Sequence, residues 1–127
     1  MTQEQEELLL KDLCARLPYG VILNCCEIVS EPLTLISYKG LVNNDYDIDE
    51  VKPFLFPLSS MTEEQKNDCP IGETTLNIIK SNIGCYGIIE IPWRLSYMFI
   101  EWCNKNHFDY RGLIPMGLAN DATGKNI

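Results

Sequence analysis

The sequence predicts a small α+β protein with an N-terminal helix, a small antiparallel sheet of three or four strands, and later helices packed on one face of that sheet. Apolar residues recur with the helical period near both ends of the chain, and the stretches between are rich in β-branched residues and turn residues. At 127 residues, 46% of them hydrophobic, the chain fits one domain. We assign a single compact domain to residues 1–118 and expect residues 119–127 to be a frayed C-terminal tail.

A first helix is expected from Thr2 to about Leu17. Thr2 and Gln5 have the spacing of a capping box, and the proline and glycine after Leu17 would end the helix. The residues expected on its apolar face are spaced by three and four: Leu10, Leu13, Cys14 and Leu17. Asp12 and Arg16 are an i,i+4 ion pair, which we expect on the opposite, polar side.

Two runs of β-branched and apolar residues follow the first helix. Residues 21–29 and 33–38 are expected to pair as a hairpin, with a turn at residues 30–32 between them. A short third strand is expected at residues 41–42 or 46–48.

The stretch from Asp45 to Lys66 is the least regular part of the prediction. Pro53 and Pro57 interrupt its apolar middle, and each lacks the backbone donor that a central strand needs. We therefore expect an irregular arm packed across the neighbouring elements. Beyond the arm, Ser60 and Glu63 have the spacing of a second capping box, which would start a short helix.

The second half of the chain contains one clear helix. Residues 74–81 suit either a helix or a strand, whereas residues 83–91 favour a strand. Pro92 is placed to begin a helix from Trp93 to about Asn106. Its apolar stripe would be Leu95, Met98, Phe99, Trp102 and Cys103. The predicted core draws on all these elements: Leu10, Leu13, Leu17, Ile22, Leu35, Phe54, Leu55, Ile89, Leu95, Phe99 and Trp102.

Charge and hydropathy argue against two classes of partner. The formal charge is −8, and the ten Lys and Arg are scattered singly, so the clustered positive surface that nucleic acid requires is missing. No apolar run approaches the roughly 18 residues that span a bilayer, and the N-terminus lacks a basic leader. We therefore expect a cytoplasmic protein that binds no membrane. The negative charge favours a basic partner protein or simply good solubility.

An acidic loop is the first candidate site. Asp45, Asp47 and Asp49 alternate as the first ligands of a calcium loop do. However, Glu50 stands where such a loop needs glycine, and Phe56 stands where it needs glutamate. We therefore interpret Asp45, Asp47, Asp49 and Glu50 as a solvated loop without a metal and as a candidate interaction surface. Asp47 and Glu50 are also placed to cap a single turn.

The cysteines suggest two further chemistries, neither of which we favour. Cys25, Cys26 or Cys85 could serve as a nucleophile with His107 as the base. Burial in apolar segments would instead raise the thiol pKa values and leave reduced, inert thiols. Cys103 and His107 have the i,i+4 spacing of two zinc ligands, but a structural zinc site needs two more. No cofactor is predicted.

Asp109, Tyr110 and Arg111 are the second candidate interaction surface. Tyrosine and arginine are enriched at interaction hot spots, and here they adjoin on an expected loop. A structural alternative explains the same residues, and we favour it: Asp109 caps the following turn, Arg111 pairs with an acidic neighbour, and Tyr110 packs over the core.

Three blocks of the sequence resemble one group of proteins. They are LLLKDLCARLPYGV (residues 8–21), DYDIDEVKPFLFPLSSMTEEQK (45–66) and NKNHFDYRGLIPMGLANDATG (104–124), about half of the chain. Together they resemble a family of small uncharacterised proteins encoded by gut bacteria and their prophages. The resemblance implies a cytoplasmic protein of a mobile element with an accessory or host-interaction role. It implies no reaction, cofactor or catalytic residue.

The function that these observations favour is a non-enzymatic protein-interaction module of a phage or mobile element, which binds an unknown host or phage protein. The sequence contains no nucleophile elbow, phosphate loop or dinucleotide fingerprint. Two alternatives stay open. One is a thiol-dependent enzyme that uses His107, and the other is a self-assembling structural subunit, which would be a homo-oligomer.

Overall fold

The computed structural model describes residues 1–25, 29–72, 74, 76–77 and 93–125. These residues form an α+β fold with an N-terminal helix, as predicted. The helices are α1 (Gln3–Arg16), α2 (Leu35–Val42), α3 (Glu63–Asp68) and α4 (Trp93–Asn106). The strands are β1 (Ile22–Cys25), β2 (Val29–Pro32), β3 (Val51–Pro57), β4 (Phe108–Asp109) and β5 (Asn120–Asp121). Within the described residues the sheet thus has five strands and is mixed, which differs from the expected three or four antiparallel strands.

Strand β3 is the centre of the sheet. β1 pairs antiparallel with β2 and with β3, whereas β4 and β5 pair parallel with the second half of β3. The carbonyl of Leu55 accepts a hydrogen bond from the N–H of Ala122, and the N–H of Phe56 donates to the carbonyl of His107, both at 2.8 Å. Because the C=O and N–H of one trans peptide unit point in opposite directions, β5 and β4 lie on opposite sides of β3.

The expectation of an irregular arm is wrong for residues 51–57, which form this central strand. β3 pairs with β1 through residues 51–53, with β5 through residues 54–55 and with β4 through residues 56–57. Pro53 is therefore the last residue paired with β1, and Pro57 is the last residue of the strand. A proline costs a strand one ladder hydrogen bond, and here each loss falls where a paired segment ends.

A hairpin is present, but it is not the predicted one: its second strand is β2, which includes the residues expected to form the turn. Residues 33–38, predicted as a strand, instead lead into α2. Thr34 Oγ1 accepts a hydrogen bond from the Ser37 N–H at 3.2 Å, and Ser37 Oγ accepts one from the Thr34 N–H at 2.9 Å. This reciprocal cap favours the helix over the β-propensity of the run. Neither residues 41–42, which end α2, nor residues 46–48 form the expected third strand.

The segment 119–125 contributes the last strand of the sheet. Asn120 and Asp121 form β5, and Ala119 and Ala122 are buried beside it. This arrangement differs from the frayed tail expected for residues 119–127, of which the last two lie outside the described part of the chain. Pairing with β3 gives the segment backbone hydrogen bonds that a free tail would lack.

Helix α1 has the predicted period, but its buried face is displaced by one residue. Thr2 and Gln5 form the expected capping box, with Gln5 N 3.1 Å from Thr2 Oγ1. The buried residues are Leu9, Asp12, Leu13 and Arg16. Cys14, expected on the apolar face, is exposed. Asp12 and Arg16, expected on the polar side, thus lie in the interior.

The described residues form two hydrophobic core clusters. The first joins α1, α2 and the sheet and includes Leu9, Leu13, Leu23, Leu41 and Leu55. The second lies around α4 and includes Leu58, Met61, Phe99, Cys103 and Phe108. Among the predicted core residues, Leu13, Phe54, Leu55 and Phe99 are buried, and Leu10, Leu17, Ile22 and Trp102 are partly buried. Leu35 is 55% exposed because its segment is a helix that turns this residue outward. Ile89 and the side chain of Leu95 lie outside the described part.

Helix α3 is present where it was predicted, with a different cap. Thr62 and Gln65 form the capping box, not Ser60 and Glu63. The hydroxyl of Ser60 instead donates to the carbonyl of Pro57 at 2.7 Å, in the turn before the helix. The T-x-x-Q pattern lies two residues after the predicted S-x-x-E pattern, and it satisfies backbone N–H groups at the start of the helix in the same way.

Helix α4 has the predicted bounds, and His107 after it takes a left-handed φ of 62°. The strand predicted at residues 83–91 lies outside the described residues. Of residues 74–81, only 74, 76 and 77 are described, and these are helical.

Candidate functional site

A cleft beside α2 gathers most of the predicted acidic loop. Its volume is about 430 Å³. Its floor is formed by buried apolar side chains of β1, α2 and β3: Leu23, Leu41 and Val51. Its rim is formed by more exposed residues: Cys25, Glu31, Ser37, Asp45, Tyr46, Asp47 and Glu50. The described lining therefore contains four carboxylates and no cationic side chain, and we call it the acidic cleft.

Gly40 holds the loop of the cleft against α2. The N–H groups of Asp45 and Tyr46 donate to the carbonyl of Gly40 at 2.8 and 3.2 Å. The ring of Tyr46 lies so close to the Gly40 backbone that a Cβ at this position would overlap Cδ2 and Cε2 of the ring. Asn44 precedes them with a left-handed φ of 62°, which asparagine tolerates. Glycine inside a helix costs about 1 kcal/mol relative to alanine, and the contact with Tyr46 explains why a glycine occurs here.

The following turn fixes the position of Asp47. Its Oδ1 accepts a hydrogen bond from the Asp49 N–H at 3.0 Å, which is the predicted capping of a single turn. Asp49 does not line the cleft, and its own Oδ1 lies 3.9 Å from the N-terminal amine of Met1. Three of the four predicted loop residues thus meet in the acidic cleft: Asp45, Asp47 and Glu50.

The carboxylates also influence the thiol that lines the cleft. Cys25 Sγ lies 4.0 Å from Glu31 Oε1, to which it donates a weak hydrogen bond. Partial burial, and then the negative charge of Glu31, raise the pKa of the Cys25 thiol above its usual value. The thiol is therefore protonated at neutral pH and is a poor nucleophile. This environment suits the binding of a cation better than thiol catalysis.

In the part of the chain that the structure describes, no group of three or more His, Cys, Asp or Glu side chains is arranged to hold a metal ion. No helix in the same residues is long and apolar enough to cross a membrane.

The second predicted site is buried at Asp109 and partly buried at its other two residues. Asp109 is only 2% exposed. Its two carboxylate oxygens accept hydrogen bonds from the N–H groups of Leu113 and Ile114 at 3.0 and 2.9 Å. These bonds stabilise the turn that follows β4. Tyr110 and Arg111 are partly buried and belong to a polar network around Asp12.

Asp12 is the centre of that network. Arg16 Nε donates to its Oδ2 at 2.8 Å, and Arg111 Nε donates to its Oδ1 at 3.0 Å. Both guanidinium carbons lie near the ring of Tyr110, at 5.3 Å for Arg16 and 5.0 Å for Arg111. The hydroxyl of Tyr110 donates to Asn104 Oδ1 at 2.9 Å. Asp109, Tyr110 and Arg111 therefore make the contacts of the structural alternative: a cap, a packed ring and an ion pair.

Arg16 extends the network to the end of α4. Its Nη2 donates to the carbonyl of Phe108 at 2.6 Å, and its Nη1 donates to the carbonyl of Cys103 at 3.4 Å. One guanidinium thus connects α1, α4 and β4.

The environment of His107 does not favour the activation of a thiol. Its Nδ1 is buried and has no hydrogen-bond partner. Burial, and then the positive charge of Arg16, lower the pKa of His107 below its usual value. Cys103, one helical turn earlier, is fully buried, and burial raises its pKa far above the usual range. Cys26 and Cys85, the other candidate nucleophiles, lie outside the described residues.

Sequence reasoning missed Glu31 and Tyr46 as members of the cleft. The sequence pattern places Glu31 in a turn, but β2 brings it to the acidic cleft. The same pattern indicates Tyr46 only as part of a short strand. Gly40 was the available signal, because a glycine inside a helical pattern often marks close packing against another group.

A comparison of the chain with protein-family models finds no match, and neither do searches of curated proteins and of solved structures. No function of the acidic cleft can therefore be transferred from a relative. The resemblance to small proteins of gut bacteria and their prophages stays a prediction.

Proposed function

We propose that this protein is a non-enzymatic interaction module that binds a basic segment of a partner protein in the acidic cleft. The observation that carries the proposal is the lining of the cleft, in which four carboxylates surround an apolar floor. A side chain with a cationic end on an apolar stem is complementary to this lining, because the stem can pack on the floor and the charge can pair with the carboxylates. Lysine and arginine side chains are built in this way.

The charge of the whole chain supports a basic partner. A net charge of −8 attracts a basic protein at long range and speeds the encounter. The same charge opposes self-association through this surface, since two copies would bring like charges together. A different, basic protein is therefore a better occupant of the cleft than a second copy.

A thiol-dependent enzyme has less support. The thiol in the cleft, Cys25, has a raised pKa, and the described cysteine nearest in sequence to His107, Cys103, is buried. A thiol nucleophile needs the opposite environment, with some exposure and a nearby positive charge.

The proposed setting is the cytoplasm, with a host or phage protein as the partner. This part of the proposal is supported by the resemblance of three sequence blocks to proteins of gut bacteria and their prophages. The proposed setting is independent of the proposed binding in the cleft, so disproof of the setting would leave the binding proposal unaffected.

A peptide-display selection on the immobilised protein tests the function. We expect the enriched peptides to share a basic residue and to be lost on an Asp45→Asn/Asp47→Asn variant. Asparagine at residue 47 keeps the side-chain oxygen that caps the turn, so the variant changes charge more than fold. Enriched peptides that lack basic residues, or that bind the variant equally well, would overturn the proposal.

The matched control is Asp49→Asn, which removes one charge from the same loop but outside the cleft. We expect it to retain the enriched peptides. Affinity for those peptides should also fall as NaCl is raised from about 0.05 to 0.5 M, because salt screens exposed charges. Affinity that does not change with salt would rule out charge-based recognition.

A further inference from the structure

We infer that the acidic cleft is specific for arginine, whose guanidinium lies on the ring of Tyr46 and pairs with the neighbouring carboxylates. This inference rests on the proposed function and names the residue type that the partner must present. It depends on three features of the cleft: a fixed aromatic ring, flanking carboxylates and an apolar floor.

The ring of Tyr46 is supported by contacts within the protein itself. One side of it packs on the backbone of Gly40, and the loop is attached to the Gly40 carbonyl by two hydrogen bonds. Tyr46 nevertheless remains 53% exposed and lines the cleft. An aromatic ring that is both held in place and accessible binds a ligand at little cost in conformational entropy.

The surroundings of the ring favour a guanidinium over an ammonium. Asp45 and Asp47 flank Tyr46 in sequence, and both line the same cleft. A planar guanidinium can stack on an aromatic ring and donate to carboxylates at the same time. The lysine ammonium is a compact and strongly hydrated charge, so burying it against Leu23 and Val51 is less favourable.

The protein's own described arginines do not supply this group. Arg16 and Arg111 both pair with Asp12, and Arg16 has no exposed side-chain surface. The side chain of Arg94 lies outside the described residues. Neither described arginine is thus available to the cleft, and the charge argument above favours an arginine from a different, basic protein.

Two libraries of short random peptides, identical except for a fixed central arginine or lysine, test the inference. We expect the arginine library to be enriched on the protein. Replacing the central arginine of the best peptide by lysine should weaken binding about fivefold or more. Tyr46→Leu should weaken the arginine peptide by about fivefold and change the lysine peptide little, whereas Tyr46→Phe should retain binding.

NMR of the labelled arginine peptide gives an independent readout. The side-chain protons next to the guanidinium should shift upfield on binding, because they lie over the ring of Tyr46, and the shift should vanish with Tyr46→Leu. Equal enrichment of both libraries together with no effect of Tyr46→Leu would overturn this inference and leave the proposed function standing. Failure of both libraries to yield a peptide that depends on Asp45 and Asp47 would overturn the two together.

Discussion

Arg16 and Asp12 form an ion pair within α1 that is wholly enclosed by the protein, with 2.8 Å between Nε and Oδ2 and no exposed surface on either side chain. A charge in the interior is tolerated only when it is paired and its remaining hydrogen bonds are made. Arg111 supplies a second partner for Asp12, and the carbonyls of Phe108 and Cys103 accept from Arg16. The pair therefore connects α1 to the end of α4 and to β4.

Asp12→Ala should destabilise the protein by about 3–5 kcal/mol, because it leaves Arg16 charged and buried without its counter-charge. Urea unfolding followed by circular dichroism measures the change in the free energy of unfolding. A loss of less than about 1 kcal/mol, the range of a surface ion pair, would show that the pair is not essential.

Arg111→Ala is the matched comparison, since it removes the other partner of Asp12. The Arg111 side chain is 16% exposed, so we expect a smaller loss of stability than for Asp12→Ala. The double variant Asp12→Ala/Arg16→Met should be more stable than Asp12→Ala alone, because it also removes the unpaired charge. A double variant less stable than the single one would contradict this explanation.

The burial of this pair could not be predicted from the sequence. The period of α1 is clear, but Leu10, Leu13 and Leu17 fit an apolar face as well as Leu9 and Leu13 do. The choice between the two faces depends on Arg111 and on the carbonyl of Phe108, which lie far along the chain. Local patterns contain no information on such partners.

The acidic cleft shows the same division between local and distant information. Asp45, Asp47 and Glu50 belong to one short segment, and their turn follows from local capping. Glu31 reaches them only because β2 pairs with β1 and β1 pairs with β3. The prolines of β3 conceal its pairing with β1, because they suggest breaks in a strand, and the turn pattern at residues 30–32 conceals the pairing of β2 with β1.

The stability of the protein should fall as the pH drops below about 6.5, the usual pKa of histidine. Burial and Arg16 lower the pKa of folded His107, so the folded protein keeps the imidazole neutral where the unfolded chain binds a proton. The contribution of neutral His107 to the free energy of unfolding is therefore complete above the unfolded-state pKa and is lost as the pH falls below it. Urea midpoints at a series of pH values from about 7.5 to 5.5 measure the effect.

His107→Asn is the control for the pH series. Asparagine tolerates the left-handed φ of 62° at this position and does not titrate. The variant should show a flatter dependence of stability on pH in this range. An unchanged slope would assign the effect to other groups.

The described thiols should react with iodoacetamide at neutral pH in the order of their exposure. Cys14 is exposed and should react first. Cys25 should react more slowly because its pKa is raised. Cys69 and Cys103 should react last because they are buried. Mass spectrometry of the alkylated peptides gives the rate at each site. A Cys25 that reacts faster than Cys14, and that slows in a His107→Ala variant, would revive the thiol-dependent enzyme.

The contact between Gly40 and Tyr46 predicts a change of sign in a double-mutant cycle. Gly40→Ala should destabilise the protein, because the new Cβ would overlap the ring and push it from its place in the cleft. In a Tyr46→Ala background the overlap is gone, and the same substitution should stabilise α2 by about 1 kcal/mol through helix propensity. Urea unfolding of the four proteins measures the coupling between the two residues. If Gly40→Ala had the same effect in both backgrounds, the ring would not be the reason for the glycine, and the fixed ring of the cleft would lose its physical basis.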